Sequence, residues 1–460
     1  MKAWLTGTLD LELGTMQPQV AAHLQQRLTL TQAGYMSSER VPFYLESPGW
    51  LHIPKGYWFH DADGFLRGIT VQDARSDGYP LPEGARAHVE FGVGKFPKDQ
   101  PRFIADGHRA AVVNGHGGLL EAPTRSGKTL CSIEIACRLG GSTLILVDSV
   151  ELQGQWQEEI AKHVRVPCGI IREDRFDYGP AWPFVVGTVQ TIARRQLSEE
   201  ARRSWRTVIV DECKSAPCST VWGAMRRLYS RYVFGLSATP DRSDGLGAGV
   251  GWVIGPTIAR LERKMEADVR FLPIPWRECR IPREGANGRV RNYRPVIKRN
   301  GKTSWVEAEK SLMHDAERMA QILDEIMHEV RSNGRKPLVM VGLTEHAERW
   351  AVALEQRGLE VGRLWGKASR REGAKPAVVA SYKKAGQALS IKPPADLFVP
   401  VGPVRDIRQA VGRALEPEVP QRTLILDPVD AEPNLRRWAA LRQGTYVRQG
   451  FTLLNEVYAR

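Results

Sequence analysis

The chain has 460 residues, enough at roughly 150 per domain for about three domains, each able to bury its own core. Its 42% hydrophobic and 25% charged composition is that of a globular protein, and without a run of 18 apolar residues it excludes a membrane-spanning helix. A formal charge of +13 favours a polyanionic partner, nucleic acid before any other, and no membrane partner is expected. Six cysteines without a CxxC pair give neither a zinc site nor a disulfide framework. With no leader-like N-terminus, a soluble cytoplasmic protein is expected.

Residues 1–94 are expected to form a small α+β accessory domain. Trp50-Leu-His-Ile53 and Gly68-Ile-Thr-Val71 alternate as strands do, and Asp61-Ala-Asp-Gly64 suits a hairpin turn. The aromatics Tyr35, Phe43, Tyr44, Trp50, Tyr57, Trp58, Phe59 and Phe65 suit a compact core better than base stacking.

Residues 95–262 alternate strands with helices, the pattern of a parallel α/β domain. The expected strands are Gly118–Leu120, Thr143–Val147, Phe184–Gly187, Thr207–Val210 and Tyr232–Leu236, short apolar runs suited to burial on both faces. The first leads into Glu121-Ala-Pro-Thr-Arg-Ser-Gly-Lys-Thr129 and then into apolar residues at helical spacing. A strand, a tight loop and a helix N-terminus aim backbone N–H groups at an anion. Ala122, Pro123, Thr124, Arg125, Ser126, Gly127, Lys128 and Thr129 are therefore the expected phosphate cradle, with Ala122 at the first glycine of the usual pattern. Lys128 is expected to reach the outer phosphates, and the Thr129 hydroxyl a Mg²⁺ ion. After the fourth strand comes Asp211-Glu212, at the strand end where open parallel sheets bind ligands. Asp211 is the expected metal acid and Glu212 the group that orients or deprotonates an attacking water. Capping the next helix is the plainer use of the same pair.

The fifth strand runs into Gly235-Leu-Ser-Ala-Thr-Pro240 and Asp241-Arg-Ser-Asp-Gly245, with Ile254-Gly-Pro256 further on. Phosphate loop, acidic pair and Ser-Ala-Thr, in this order, resemble motifs I, II and III of superfamily 2 helicases. The likeness is to the branch of XPB-type repair helicases and UvsW-type phage branch-migration helicases. Val147-Asp148 through Gln155-Trp156 resembles motif Ia, and Gly187-Thr-Val-Gln-Thr191 resembles motif Ib. The resemblance makes Gln155, Thr188 and Gln190 nucleic-acid contacts, and Ser237 and Thr239 the coupling residues of motif III. Gln100 is the candidate for the family's adenine-reading glutamine.

Residues 263–305 read as a basic connector, in which nine lysines and arginines from Arg277 to Lys302 face only Glu278 and Glu284. Such a segment is either a solvated linker or a DNA-facing arm, and the alternation around Gly288-Arg-Val-Arg-Asn292 points to a hairpin. Val306 to Val330 reads as one long helix stopped by Gly334. A second α/β domain, 306–430, follows with expected strands Leu338–Val341, Leu359–Val361, Ala377–Ala380, Asp396–Val399 and Thr423–Asp427. Gly342-Leu-Thr-Glu-His-Ala347 resembles the end of motif IV, residues 380–391 the phage form of motif V, and Arg408-Gln-Ala-Val-Gly-Arg413 motif VI. The resemblance implies nucleic-acid contacts at Thr344 and Ser381 and catalytic roles for Gln409 and Arg413. Residues 431–460 read as a tail with a closing helix around Leu435–Leu441.

The resemblance spans about 95–430 and implies an α/β protein of two tandem RecA-like parallel-sheet domains plus the N-terminal domain. It implies ATP and Mg²⁺ as cofactors and single-stranded or branched duplex DNA as partner. The implied function is an ATP-dependent DNA helicase or translocase that remodels forked, branched or recombination DNA, and the motif V likeness suggests a phage protein. An RNA helicase and a nucleotide-gated DNA-binding protein stay open as alternatives. The second arises because Glu416 stands at the last arginine of motif VI, while Arg125 and Lys214 replace a usual glycine and histidine.

Overall fold

The structure, a computed structural model, describes residues 2–457 apart from 34–37, 60–63, 65, 67, 94–97, 124–125, 214–217, 238–245, 262–265, 280, 285–289, 294, 296, 300–301, 367–369, 383–390, 392, 405–406 and 408–420. The chain divides into two compact units, Met1–Arg263 and Lys264–Arg460.

The first unit begins with β1 (Lys2–Leu5), β2 (Thr8–Glu12), α1 (Pro18–Arg27), β3 (Thr29–Ala33), β4 (Ser38–Pro42), β5 (Leu45–Ser47), β6 (Trp50–Pro54), α2 (Lys55–Trp58) and β7 (Thr70–Asp73). Among the described residues, these give a five-stranded mixed sheet of order β5-β6-β2-β1-β7 and a separate β3–β4 hairpin. The expected turn at Asp61-Ala-Asp-Gly64 lies mostly outside the described residues. Phe43 and Tyr57 are buried in the core, and both meet Trp252 edge to face at 5.6 and 6.1 Å. Lys55 is buried as well, its Nζ donating to the Ser230 carbonyl at 2.7 Å, and burial holds its amine well below the usual lysine range. Residues 74–88, read in the sequence as part of the accessory domain, strap across the following parallel-sheet body. Ser76 bridges to Ser230, Pro80 to Gly141, and the Ala87 amide donates to the Glu134 carboxylate at 3.0 Å.

That body contains α3 (Gln100–Asn114), β8 (Gly118–Glu121), α4 (Lys128–Leu139), β9 (Thr143–Val147), α5 (Val150–His163), β10 (Cys168–Ile171), β11 (Phe184–Thr188), α6 (Val189–Arg194) and α7 (Glu199–Arg203). It continues with β12 (Thr207–Val210), α8 (Cys218–Met225), β13 (Tyr232–Ser237), α9 (Gly247–Ile254) and β14 (Thr257–Arg260). Among the described residues it is a seven-stranded, all-parallel sheet of order β10-β11-β9-β12-β13-β8-β14. Every residue of β8, β9, β12 and β13 is buried, as continuous apolar runs between two helix layers require. The five sequence-derived strands are all present. The edge strands are less buried: β10 buries alternate residues and β14 buries only Ala259.

The second unit contains β15 (Ala267–Ile274), β16 (Ile281–Glu284), β17 (Val290–Tyr293), β18 (Lys298–Arg299), β19 (Lys302–Thr303), α10 (Trp305–His314), α11 (Ala316–Asn333), β20 (Pro337–Val341) and α12 (Thr344–Gln356). It closes with β21 (Val361–Leu364), β22 (Ala377–Ser381), β23 (Leu397–Pro400), β24 (Thr423–Asp430), α13 (Pro433–Arg448) and β25 (Thr452–Leu453). Among the described residues, its main sheet is again seven-stranded and parallel, ordered β21-β22-β20-β23-β24-β15-β25. The stretch read as a basic connector thus supplies β15, which lies between β24 and β25, and the stretch read as a tail supplies α13 and β25. The helix expected over 306–330 is broken. Asp315 takes an extended conformation, and its carboxylate accepts the Arg318 amide at 2.9 Å, capping α11. Gly334 ends α11 with φ +63°.

Candidate nucleotide site

The site is built at the carboxyl ends of the first parallel sheet. Glu121 at the end of β8 pairs in register with Ser237 at the end of β13, and Val210 at the end of β12 pairs with Gly235. The residues after β8 and β12 therefore flank the end of β13. The Ala122 amide donates to the Ser237 carbonyl at 3.0 Å, which pins the start of the loop to the motif III strand. Within the loop, the Ser126 hydroxyl and amide both donate to the Pro123 carbonyl, at 2.6 and 3.3 Å. Gly127 then turns into α4 with φ +77°, a conformation that costs a residue with Cβ about 1–2 kcal/mol. It offers the first turn of α4 no side-chain cap. The N-terminal turn of a helix suits an anion. Gln100, fully buried on α3, donates Nε2 to the Ser126 carbonyl at 2.7 Å, and its Oε1 has no hydrogen-bond partner among the described residues. The structure thus brings Gln100 onto the loop despite its distance in sequence. Thr124 and Arg125 lie outside the described residues, and Thr129 sits on the first turn of α4.

The acidic pair faces Lys128. Its Nζ is hydrogen-bonded to Glu212 Oε1 and lies 3.7 Å from Asp211 Oδ1. Two consecutive residues of an extended strand point to opposite faces. Both reach one lysine here because Glu212 adopts a left-handed φ of 45° and donates its amide to Asp211 Oδ1 at 2.9 Å. A non-glycine residue held there marks strain of the kind that collects at functional sites. Asp211 Oδ2 accepts the indole N–H of Trp156 at 2.9 Å. Trp156 comes from α5, which follows β9, the strand next to β12, and its indole fixes the Asp211 carboxylate. The sequence resemblance named Trp156 only as the end of motif Ia. Substituting Trp156→Phe strips the buried carboxylate of this donor, at about 1–3 kcal/mol. Steady-state ATP hydrolysis is expected to fall roughly 10- to 100-fold, with the same fold by circular dichroism.

Residues expected to contact nucleic acid sit along the same edge of the sheet, yet each carries a local structural duty or none that is visible. Thr188 caps α6, accepting the Thr191 amide at 3.3 Å and sharing a 2.8 Å hydrogen bond with the Thr191 hydroxyl. Gln190 Nε2 donates to the Asp148 carbonyl at 3.5 Å, joining the loops after β9 and β11. Gln155 is half-buried on α5, whereas its neighbour Gln153 is fully buried and donates to the carbonyls of Ile171 and Val186 at 3.2 and 2.6 Å. Thr239, Lys214, Gln409, Arg413 and Glu416 lie outside the described residues.

In the second unit, Ser381 ends β22 in register with Val341 of β20, and Thr344 opens α12 three residues later. The two sequence candidates therefore share adjacent strand ends. Glu309, which the sequence did not flag, holds this corner. Its buried Oε1 accepts the amides of Gly342 and Leu343 at 2.6 and 2.9 Å and the Nδ1–H of His346 at 3.0 Å. His346 Nε2 in turn accepts the Trp350 indole at 3.0 Å, so only the neutral ring satisfies both partners. Burial lowers the His346 pKa below the usual imidazole range, with Glu309 opposing. The unfolded chain, titrating near pH 6.5, binds the proton first. Stability of this unit is therefore full above about pH 6.5, falls as pH drops below it, and levels off under the folded value. Urea midpoints followed against pH are expected to show this fall, and His346→Gln to flatten it.

Comparisons with known proteins join this geometry to a family. A family model described as the res subunit of type III restriction enzymes matches residues 95–242. Over 91% of its length the chain is 23% identical to a putative ATP-dependent RNA helicase, L396, of Acanthamoeba polyphaga mimivirus, and it covers 78% of that protein. Over 35% of its length it is 30% identical to the DNA 3'-5' helicase XPB of Mycobacterium tuberculosis, of which it covers 29%. The chain is thus similar to helicases of superfamily 2, and its phosphate loop and acidic pair fall inside the region that the family model matches. The crystal structure of T4 UvsW aligns over 98% of both chains at 16% identity, with a TM-score of 0.42. Among the described residues, no helix of the chain is long and apolar enough to cross a membrane.

Proposed function

We propose that this protein is an ATP-driven DNA translocase that remodels forked or branched DNA, with Lys128, Thr129, Asp211, Glu212 and Arg413 carrying hydrolysis. The observation that carries the reading is the grouping of Lys128, Asp211 and Glu212 beside the N-terminus of α4 at the carboxyl edge of a parallel sheet. ATP supplies the phosphoryl bond and Mg²⁺ the charge neutralisation that such hydrolysis requires. Ala122, Pro123, Thr124, Arg125, Ser126 and Gly127 line the phosphate cradle, and Gln100 supports it from α3. Lys128 Nζ neutralises developing charge, and the Thr129 hydroxyl with Asp211 holds the metal. The Glu212 carboxylate orients the attacking water and takes its proton. By the motif VI resemblance, Arg413 contributes a second positive charge and Gln409 a further catalytic group. Gln155, Thr188, Gln190, Thr344 and Ser381 grip the nucleic-acid backbone, and Ser237 and Thr239 relay the nucleotide state.

An RNA helicase is the second reading, favoured by the name of the mimivirus relative. Steady-state hydrolysis measured with single-stranded DNA, forked duplex DNA and RNA separates them. The proposal expects the strongest stimulation from forked DNA. Stimulation by RNA alone would replace it with the second reading, and no turnover with any of them would leave a nucleotide-gated binding protein.

A further inference from the structure

Glu121 ends β8 one residue before the phosphate loop, and it carries a carboxylate into the sheet between β13 and β14. It is 5% exposed, a position where an acid is costly unless paired and hydrogen-bonded. Its partners come from β14. The Thr257 hydroxyl donates to Oε1 at 2.9 Å. Arg260 Nε donates to Oε2 at 2.8 Å, with Nη2 2.7 Å from the same oxygen. Thr257 and Arg260 are three residues apart, so on a regular strand their side chains would point to opposite faces. Thr257 pairs with Leu119, Ala259 with Leu120 and Arg260 with Glu121, which leaves Ile258 unmatched. That extra residue shifts the phase of β14 by one and brings both donors to one carboxylate. Irregularities of this kind gather at sheet edges and next to active sites.

Holding β14 to the sheet does not require this clamp. The Leu119 amide donates to the Pro256 carbonyl at 2.6 Å and the Leu261 amide to the Glu121 carbonyl at 2.8 Å, so backbone bonds close the pair at both ends. Apolar side chains of similar volume often replace a buried ion pair without loss of stability. What the ion pair adds is a fixed direction and register at Glu121. On the other side of β8, Glu121 stands in register with Ser237 of β13, whose carbonyl holds the Ala122 amide. The root of the loop is thus held from both flanking strands, by a backbone bond to Ser237 and by charge to Arg260.

We propose that Glu121, Arg260 and Thr257 are positioning residues for ATP, a clamp that sets the root of the phosphate loop. The inference rests on the nucleotide reading above and adds to it residues outside the loop. The clamp touches no reacting atom. It acts on the loop as a whole, whose backbone holds the phosphates in the ground state and the transition state alike. Disturbing the root therefore weakens ATP binding more than it slows the chemical step.

The test uses the full chain with Arg260→Ala, Arg260→Lys and Thr257→Val. The Arg260 side chain is 57% exposed, so its truncation opens to water and the fold is expected to persist. Arg138→Ala is the control, because Arg138 pairs with the largely buried Glu134 at 2.9 Å in the last turns of α4, away from the loop. Affinity for N-methylanthraniloyl-ATP is measured by fluorescence without nucleic acid. Hydrolysis with forked DNA is followed against ATP concentration, below the melting midpoint of every variant. Arg260→Ala is expected to bind the nucleotide about 10-fold more weakly and to raise KM alike, with kcat within about 3-fold of the parent. Arg260→Lys keeps the charge without the fork and should fall between the two. Thr257→Val should lose about 3-fold in affinity. Parental affinity and KM in Arg260→Ala, an equal loss in Arg138→Ala, or a fall in kcat at unchanged KM overturns the clamp and leaves the nucleotide reading intact. A parent that binds nucleotide without hydrolysing it overturns the hydrolytic reading, while the affinities still decide the clamp. A parent that binds no nucleotide overturns both.

Discussion

Replacing Lys128 with alanine is expected to reduce nucleic-acid-stimulated ATP hydrolysis by at least about 10²–10³-fold, the range found when one preorganised charge donor is removed. Lys128 Nζ is the cation that faces both Asp211 and Glu212, so its loss also leaves two adjacent carboxylates to repel the phosphates they serve. Trp156 still holds Asp211, and the loop is still pinned through Ala122 and Gln100, so the fold is expected to persist. Nucleic-acid binding without nucleotide should therefore match the parent, which separates a chemical defect from unfolding. A Lys128→Ala protein that hydrolyses ATP at the parental rate would remove this lysine from the mechanism.

The second large effect is expected on stability. Arg442 of α13 is buried against Asp427 of β24, with Nε 2.8 Å from Oδ2 and Nη2 2.6 Å from Oδ1. The Tyr446 hydroxyl donates to the same carboxylate at 2.9 Å, and Arg442 Nη1 donates to the Val404 carbonyl at 2.7 Å. Arg442→Ala leaves the Asp427 charge fully buried and half-solvated by a single hydroxyl. Breaking one side of a buried pair costs about 3–5 kcal/mol. For a unit of this size that lowers the thermal midpoint by roughly 6–20 °C. Pairing it with Asp427→Leu should recover part of the loss, because the orphaned charge is gone while the Val404 carbonyl still lacks its donor. Calorimetry on the two variants reads both numbers. Val404 leads into the segment that carries motif VI, so hydrolysis is expected to fall with stability in Arg442→Ala. A midpoint within a degree or two of the parent would show the pair to be dispensable.

Much of this architecture was legible because burial on both faces forces a strand to be apolar throughout. Thr143-Leu-Ile-Leu-Val147 and Thr207-Val-Ile-Val210 have no other easy reading, and both are fully buried. The edge strands β10 and β14 have one neighbour each, so they bury two and one of their four residues and their signal is weaker. β15 was hidden differently. Its buried residues Val269 and Phe271 alternate with Asp268 and Arg270, and the arginines after it drew the whole stretch into a connector. In the expected strand Leu359–Val361 the first residue instead closes the α12 turn, donating to the Leu354 carbonyl at 3.2 Å, so β21 starts at Val361. At Asp315 an N-cap interrupts a continuous apolar stripe, and stripe periodicity is blind to a cap that preserves phase.

The site divides along the same line. Lys128, Asp211 and Glu212 follow strands directly, so a one-dimensional motif finds them. Trp156, Glu309 and Arg442 act across elements distant in sequence, and no spacing rule links Trp156 to Asp211 or Arg442 to Asp427. Their only local trace is a large or charged side chain on the inward face of a helix.

The account's central claim is that hydrolysis at the Lys128–Asp211–Glu212 site drives movement on DNA. It is tested most directly by following displacement of a labelled strand from a forked DNA substrate by the parent and by Glu212→Gln. The expected result is displacement by the parent with ATP and none with a non-hydrolysable analogue. Glu212→Gln should bind nucleotide and fork but displace no strand. Displacement by Glu212→Gln at the parental rate, or by the parent with the analogue, would contradict the claim.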